Sequence, residues 1–468
     1  MKKIWTNSIL LMCFFLTQAK AVQLSNNGSG EVLIFPYYTV NNNLNTLYSV
    51  INTTEDPKVI KINFYEADNG RDVLSFNVYL SAHDVWTGAL IPVVSEHEGH
   101  MGENSALHLT ADQSCAPLLV KNGQEFLPND IEEDLWTDLQ RLRAGYFVVL
   151  EMGVLSGFAE EYAHHGGNGI PENCPGLAEA WEVEPGEPWN LNTTVFPPSG
   201  GLIGGAHVVD VNDGVSFSYD AVALENFWGD DVVMHTHPQN HRPDLRDAYP
   251  ESKILLDSGE LAVSQWDHGF EAVSAVLMKS EVWGDYMLDT VVNGKSEWVV
   301  TMPTKYFHTN LSEAETSPFY NQWSGVASCD YFDNEKYDRE TQTENPVITC
   351  PGVCPPTAPF PDMCFASNVV RFLHPAAGTT VPRILGGDTL VTIRSPSVLH
   401  ATESGWMSLI FGSPELNHRL TSGSGTSYNG LPVVGFVVQK SYNSGAQEGL
   451  LAQYGSLFAL KGKVEADD

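Results

Sequence analysis

Apolar and polar positions alternate over short runs in the first part of the chain, and turn residues separate the runs. Val32-Leu33-Ile34-Phe35 leads into Pro36-Tyr37-Tyr38-Thr39-Val40, and Asn41-Asn42-Asn43 stops it. Thr46 to Ile51 is apolar and β-branched, and Asn52 to Pro57 is a cluster of turn formers. Val59, Ile60, Ile62 and Phe64 fill a third run, Asp68-Asn69-Gly70 a second turn, and Val73, Phe76, Val78 and Leu80 a fourth run ahead of Asp84-Val85-Trp86-Thr87-Gly88. Short strands with turns at roughly ten-residue spacing predict a β-sandwich. Helical spacing is clearest at 130–143, where Ile131, Leu135, Leu139 and Leu142 share a face, acidic residues come early and arginines late. Residues 176–182 predict a short helix, and 206–219 a hairpin turning at Asn212-Asp213-Gly214. Further strands are expected at 272–278, 298–302, 390–393, 406–411 and 431–438. The pattern as a whole reads as mainly β, with immunoglobulin-like β-sandwich domains and a few short helices.

The extreme N-terminus departs from that pattern. Lys2 and Lys3 precede an apolar stretch from Ile9 to Leu16, and Ala19-Lys20-Ala21 follows as a small-residue cleavage site. This is the form of a secretory signal peptide, with the cut expected after Ala21. No later apolar run has the length of a membrane helix. The boundaries expected are a signal peptide at 1–21, an immunoglobulin-like sandwich at 22–155 and a second β-rich domain at 156–310. An irregular, disulfide-stapled segment at 311–365 and a C-terminal β-rich segment at 366–468 complete the chain.

Composition narrows the partners. The formal net charge is −34, and phosphate binding needs an excess of Lys and Arg, so nucleic acid is excluded as a partner. Beyond Cys13 in the leader, the cysteines are Cys115, Cys174, Cys329, Cys350, Cys354 and Cys364. An even set in an exported chain reads as disulfides. Four of them lie within 329–364, which predicts two bridges there and leaves Cys115 for Cys174. The Cys350-to-Cys354 spacing does not match a zinc C-x-x-C.

Several segments together resemble a family of exported proteobacterial proteins of unknown function, described only as cell-surface proteins. They are Phe35 to Val40, Asn52-Thr53-Thr54, Asp84 to Gly88, Gly145 to Gly153, Cys174 with Ala180-Trp181, Gly200-Gly201-Leu202, Trp298 to Tyr306 and Gly430 to Phe436. The resemblance implies export and a β-rich fold. It supplies no activity, catalytic residue or ligand.

Candidate chemistry is sparse. His235, Thr236 and His237 open a group that ends at His241; in a strand His235 and His237 share a face, and the three imidazoles suit copper or zinc. Pro238 and Pro243 favour instead a polar loop. Glu96-His97-Glu98-Gly99-His100, with Glu103 and His108, has H-E-x-H spacing rather than the H-E-x-x-H of a zinc protease, and reads as a surface loop. His164-His165 precedes a glycine-rich loop. Asp210 to Gly214 offers oxygen ligands for calcium without EF-hand spacing. There is no G-x-S-x-G, Walker A or dinucleotide motif. Trp181, Trp189, Trp228, Trp266 and Trp283 are candidates for stacking on sugars or for the core. The expectation is an exported, non-enzymatic envelope or surface protein with an interaction or structural role and a cell-surface or polysaccharide partner. A copper- or zinc-binding protein built on His235, His237 and His241, and a secreted polysaccharide hydrolase, are the alternatives.

Overall fold

The computed structural model describes residues 20–128, 138–182, 194–311, 316–340, 361–373, 383–387, 403–443 and 452–467, with the short strands 343–344, 347–349 and 390–394 and residues 445 and 447. The fold is mainly β, and its framework is two sandwiches that share core residues.

In the first sandwich, one sheet runs in the order Gln23–Leu24, Val222–Glu225, Val32–Thr39, Ala144–Leu155, Lys58–Glu66, Asp72–Leu80. The facing sheet runs Val215–Asp220, Leu202–Asp210, Asn45–Asn52, Val85–Val94, Asn104–Leu109, Gln124–Glu125. Both are antiparallel. The strands read at 32–80 are present. The hairpin at 206–219 is present too, with Gly214 at positive φ where the tight turn requires it. Pro36 lacks an N–H for the ladder, and the pairing of Val32–Thr39 with Ala144–Leu155 shifts register between Phe35 and Tyr38, which absorbs it in a bulge.

Strands from 202–225 belong to these two sheets, so the sandwich crosses the boundary expected at residue 155. Local patterns specify strands but not which distant strands they pair with. Connectivity also differs from the immunoglobulin constant-type arrangement, where strands 1, 2, 5 and 4 share one sheet and 3, 6 and 7 the other. Counting the long strands from Val32 to Leu155, strands 1, 7, 3 and 4 share one sheet here and 2, 5 and 6 the other.

The second sandwich faces Lys295–Thr301, Ser367–Leu373, Val434–Tyr442, Gln453–Ala459, Leu390–Arg394 and Val347–Thr349 against Glu281–Met287, Ser404–Ile410, Asp333–Asp338, Lys461–Lys463 and Thr343–Glu344. It too crosses expected boundaries, at 310 and 365. Trp298, Val300, Val370 and Val437 fill its core, while the alternate residues Val299, Val369, Phe436 and Val438 join the core of the first sandwich. Strands buried on both faces read as continuous apolar runs for this reason.

The run at 272–278 is not a strand. Gly269–Leu277 is a helix, with a His268/Glu271 capping box, and eight of its nine residues from Gly269 to Leu277 are buried. Buried all round, it has no polar face to reveal a helical period, and an apolar run of that length fits either structure. It packs with Val32, Ile34, Tyr146 and Val148 on the outer face of the first sheet. Residues 130–137 of the helix expected at 130–143 lie outside the described residues, and Leu139–Arg143 is a 3-10 turn. The short helix at 176–182 appears as Cys174–Glu179. Disulfides join Cys115 to Cys174 and Cys329 to Cys364, while Cys350 and Cys354 lie outside the described residues.

Candidate functional site

The histidine group found in the sequence lies on the outer face of the first sheet. Strands Lys58–Glu66 and Asp72–Leu80 pair Val59 with Tyr79, Lys61 with Asn77, Asn63 with Ser75 and Tyr65 with Asp72. Ile60, Ile62 and Phe64 point into the sandwich, so Lys61 and Asn63 project the other way. Residues 235–243 run across these side chains like a strap. Asn77 Nδ2 donates to the Thr236 carbonyl at 2.8 Å. Lys61 Nζ donates to the carbonyls of His237, Pro238 and Asn240 at 3.0, 3.3 and 2.9 Å. Asn63 Nδ2 donates to the Pro243 carbonyl at 2.9 Å. The strap, interrupted by two prolines, cannot form a ladder, and side chains of the sheet satisfy its carbonyls instead. Lys61, Asn63 and Asn77 are fully buried beneath it, and burial pulls the Lys61 ammonium down to about 7 against the opposing effect of Asp72.

The three imidazoles do different things. His235 is buried and its Nε2 lies 2.9 Å from the Tyr79 hydroxyl. Trp181 Nε1 donates to that same hydroxyl at 3.0 Å. Indole is a donor only, so the Tyr79 oxygen accepts from Trp181 while also sharing a hydrogen bond with His235 Nε2. Burial, with a contribution from Lys61, drives the His235 pKa down to about 3. His237 stacks edge-on to Trp181, with centroids 5.5 Å apart, and its Nδ1 accepts from Gln239 N–H. His241 Nδ1 lies 2.7 Å from Asp72 Oδ1, which raises its pKa. His235, His237 and His241 are thus not brought to one point. Among the described residues, the only three ligand atoms of His, Cys, Asp or Glu within 4.8 Å of one another belong to Cys329, Asp362 and Cys364, and two of those sulfurs are bonded to each other. At the stretch considered for calcium, Asp210 and Asp213 both pair with the Lys440 ammonium, at 2.7 Å for Asp210.

The arrangement around Tyr79 occurs a second time, in a place the sequence reading missed. Inside the first sandwich, Trp86 Nε1 donates to the Tyr48 hydroxyl at 3.0 Å, and that hydroxyl lies 2.8 Å from His108 Nε2. All three are buried, and burial takes His108 down to about 3. His108 looked like part of the 96–103 loop but stands in strand Asn104–Leu109. Ala106 and His108 share the buried face of that strand, with Leu107 and Leu109 on the other. His97 and His100 do lie in a turn, with His100 Nδ1 3.3 Å from Glu103. His165 sits 3.5 Å from Asp84.

A serine–histidine pair exists without a sequence motif. Ser274 Oγ lies 2.8 Å from His308 Nε2 and also contacts Thr304 Oγ1 and the Phe270 carbonyl. Both residues are 0 % exposed, and the pair ties helix Gly269–Leu277 to helix Lys305–Asn310. Buried ion pairs join Lys58 to Glu151 at 2.7 Å and Lys305 to Asp330 at 2.6 Å. Where the two sandwiches meet, a cavity of about 590 Å³ opens, lined by Asn41, Asp68, Glu103, Arg141, Phe365 and Gly387 among others. Of the sugar-stacking candidates, Trp228 and Trp266 are buried, Trp181 and Trp283 are half-buried, and Trp189 lies outside the described residues. Comparison with protein families, curated proteins and solved structures gives no match.

Proposed function

We propose that the protein is exported and acts, without catalysis, as an envelope or surface protein with an interaction or structural role, in keeping with the family it resembles. The observation that carries this reading is the use made of its reactive side chains. Ser274 and His308, His108 with Tyr48, and His235 with Tyr79 are consumed in buried hydrogen bonds that hold layers together. A catalytic nucleophile or base must be reached by substrate, and these groups are buried. Export is supported by the disulfides, which suit an oxidising compartment. Val22, the first residue after the expected cut, is already buried.

The test is fractionation of the native host with mass spectrometry of the N-terminus. The expected result is a chain beginning at Val22 and found in the envelope or medium. A full-length chain beginning at Met1 in the cytoplasm overturns the reading, as does turnover of a defined substrate abolished by a single substitution.

A further inference from the structure

The outer face of the second sandwich carries an aromatic surface that no buried network uses. On strand Ser404–Ile410, Met407 and Leu409 enter the core, so Trp406 and Ser408 lie on the other face, where Trp406 is exposed and Ser408 is covered. On the neighbouring strand Glu281–Met287, Val282 and Tyr286 enter the core, so Trp283 and Asp285 face outward. Register sets Tyr337 opposite Trp406 and Trp406 opposite Asp285. In the next row Glu335 stands opposite Ser408, and Ser408 opposite Trp283. Trp283 and Trp406 are therefore diagonal neighbours on adjacent strands, at roughly 7–8 Å between backbones.

Three features make this more than scattered exposure. Trp406 is 43 % exposed, unusual for the largest apolar side chain. Its ring stacks on Tyr337 with centroids 4.4 Å apart and 14° between planes, which holds the exposed indole in one orientation before any ligand arrives. The Tyr337 hydroxyl is itself held by Glu335. The aromatic rings are interleaved with carboxylates at Glu335 and Asp285 rather than with further aliphatic side chains. A ring face beside hydrogen-bond acceptors complements a pyranose, whose C–H face packs on the indole while its hydroxyls donate to carboxylates. The overall charge of −34 disfavours an anionic polymer.

We propose that this face, built on Trp406, Trp283 and Tyr337 with Glu335 and Asp285, binds a neutral polysaccharide. The proposal rests on the reading of the protein as a surface interaction protein and names its partner.

The experiment is affinity electrophoresis of the mature chain in gels containing hydroxyethylcellulose, laminarin or xylan, with co-sedimentation on chitin, in parallel with the fractionation above. At least one polymer is expected to retain the protein. Trp406→Ala is expected to weaken retention about tenfold and Trp406→Ala/Trp283→Ala to abolish it. Trp406→Phe retains part of it, and Tyr454→Ala, an exposed aromatic on another sheet, retains all. Near-ultraviolet circular dichroism confirms that the variants fold. Retention unchanged in the double variant overturns the site. Absence of retention on every polymer, for a protein found at the cell surface, overturns the glycan proposal and leaves the surface reading standing. A cytoplasmic protein overturns the surface reading itself.

Discussion

His108 and His235 each place a neutral imidazole where a charge cannot be solvated. Burial takes both from 6.5 to about 3. Between those values the unfolded chain binds a proton at each site and the fold does not, so stability falls as pH falls. At roughly 1.4 kcal/mol per pH unit, each histidine costs the fold about 3 kcal/mol by pH 4. His241 works in the opposite direction. Asp72 raises its pKa, so its contribution is present on the acid side and fades as pH rises through the raised value; half-exposed, it is small. The urea midpoint is expected to drop steeply between pH 6.5 and 4, and His108→Gln to flatten that slope by about half. A midpoint indifferent to pH over this range would show that the imidazoles ionise in place. At this scale the sequence located the histidines but not their roles. His235 and Tyr79 are separated by 156 residues, and nothing in spacing tells that a tyrosine hydroxyl occupies the nitrogen a metal would need.

The strap at 235–243 shows what an element without a ladder requires. Its carbonyls depend on Lys61, Asn63 and Asn77, which stand in strands that otherwise read as apolar. Lys61→Met removes the donor to three carbonyls at once and is expected to cost about 3 kcal/mol, since each buried unsatisfied group costs about 1–3 kcal/mol and part is recovered by water. Hydrogen exchange should then accelerate at the strap before the rest of the sheet; uniform acceleration would mean that the lysine supports the whole sandwich. The strands at 32–80 were legible because turn residues cut apolar runs to strand length. The lysine's role was not, because a polar residue at an outward strand position normally signals solvent rather than a second layer. The same second layer hid helix Gly269–Leu277, whose burial on nearly every side erased its period. Trp406 was never singled out, because exposure of a tryptophan is decided by which strands flank it.

At the scale of the molecule, the sheet containing Lys295–Thr301 belongs to two cores. Val299 and Phe436 face one and Trp298 and Val437 the other, one residue apart. Phe436 stacks on Tyr219 at 4.9 Å and meets Tyr37 edge-on, so it anchors the second sandwich in the first. Phe436→Ala is expected to cost about 3–5 kcal/mol, the range for a buried aromatic. Calorimetry should still show one transition, because neither sandwich keeps its core alone. Two resolved transitions in the wild-type chain would refute that coupling. The sequence reading divided this region at residues 310 and 365, where local composition changes, whereas the sheets are assembled from strands lying on both sides of those positions.

The pairing of residues 22–24 also governs the order in which the molecule can be completed. Gln23–Leu24 pairs with Val222–Glu225, and Val22 N–H donates to the Glu251 carbonyl at 2.7 Å. A chain supplied from its N-terminus has its first strand in hand more than 200 residues before the partner arrives. Through that interval the edge of Val32–Thr39 that will receive Val222–Glu225 stands open, and an open edge recruits any extended chain nearby, another copy included. The first sheet of this protein is therefore completed only after residue 251 has been released.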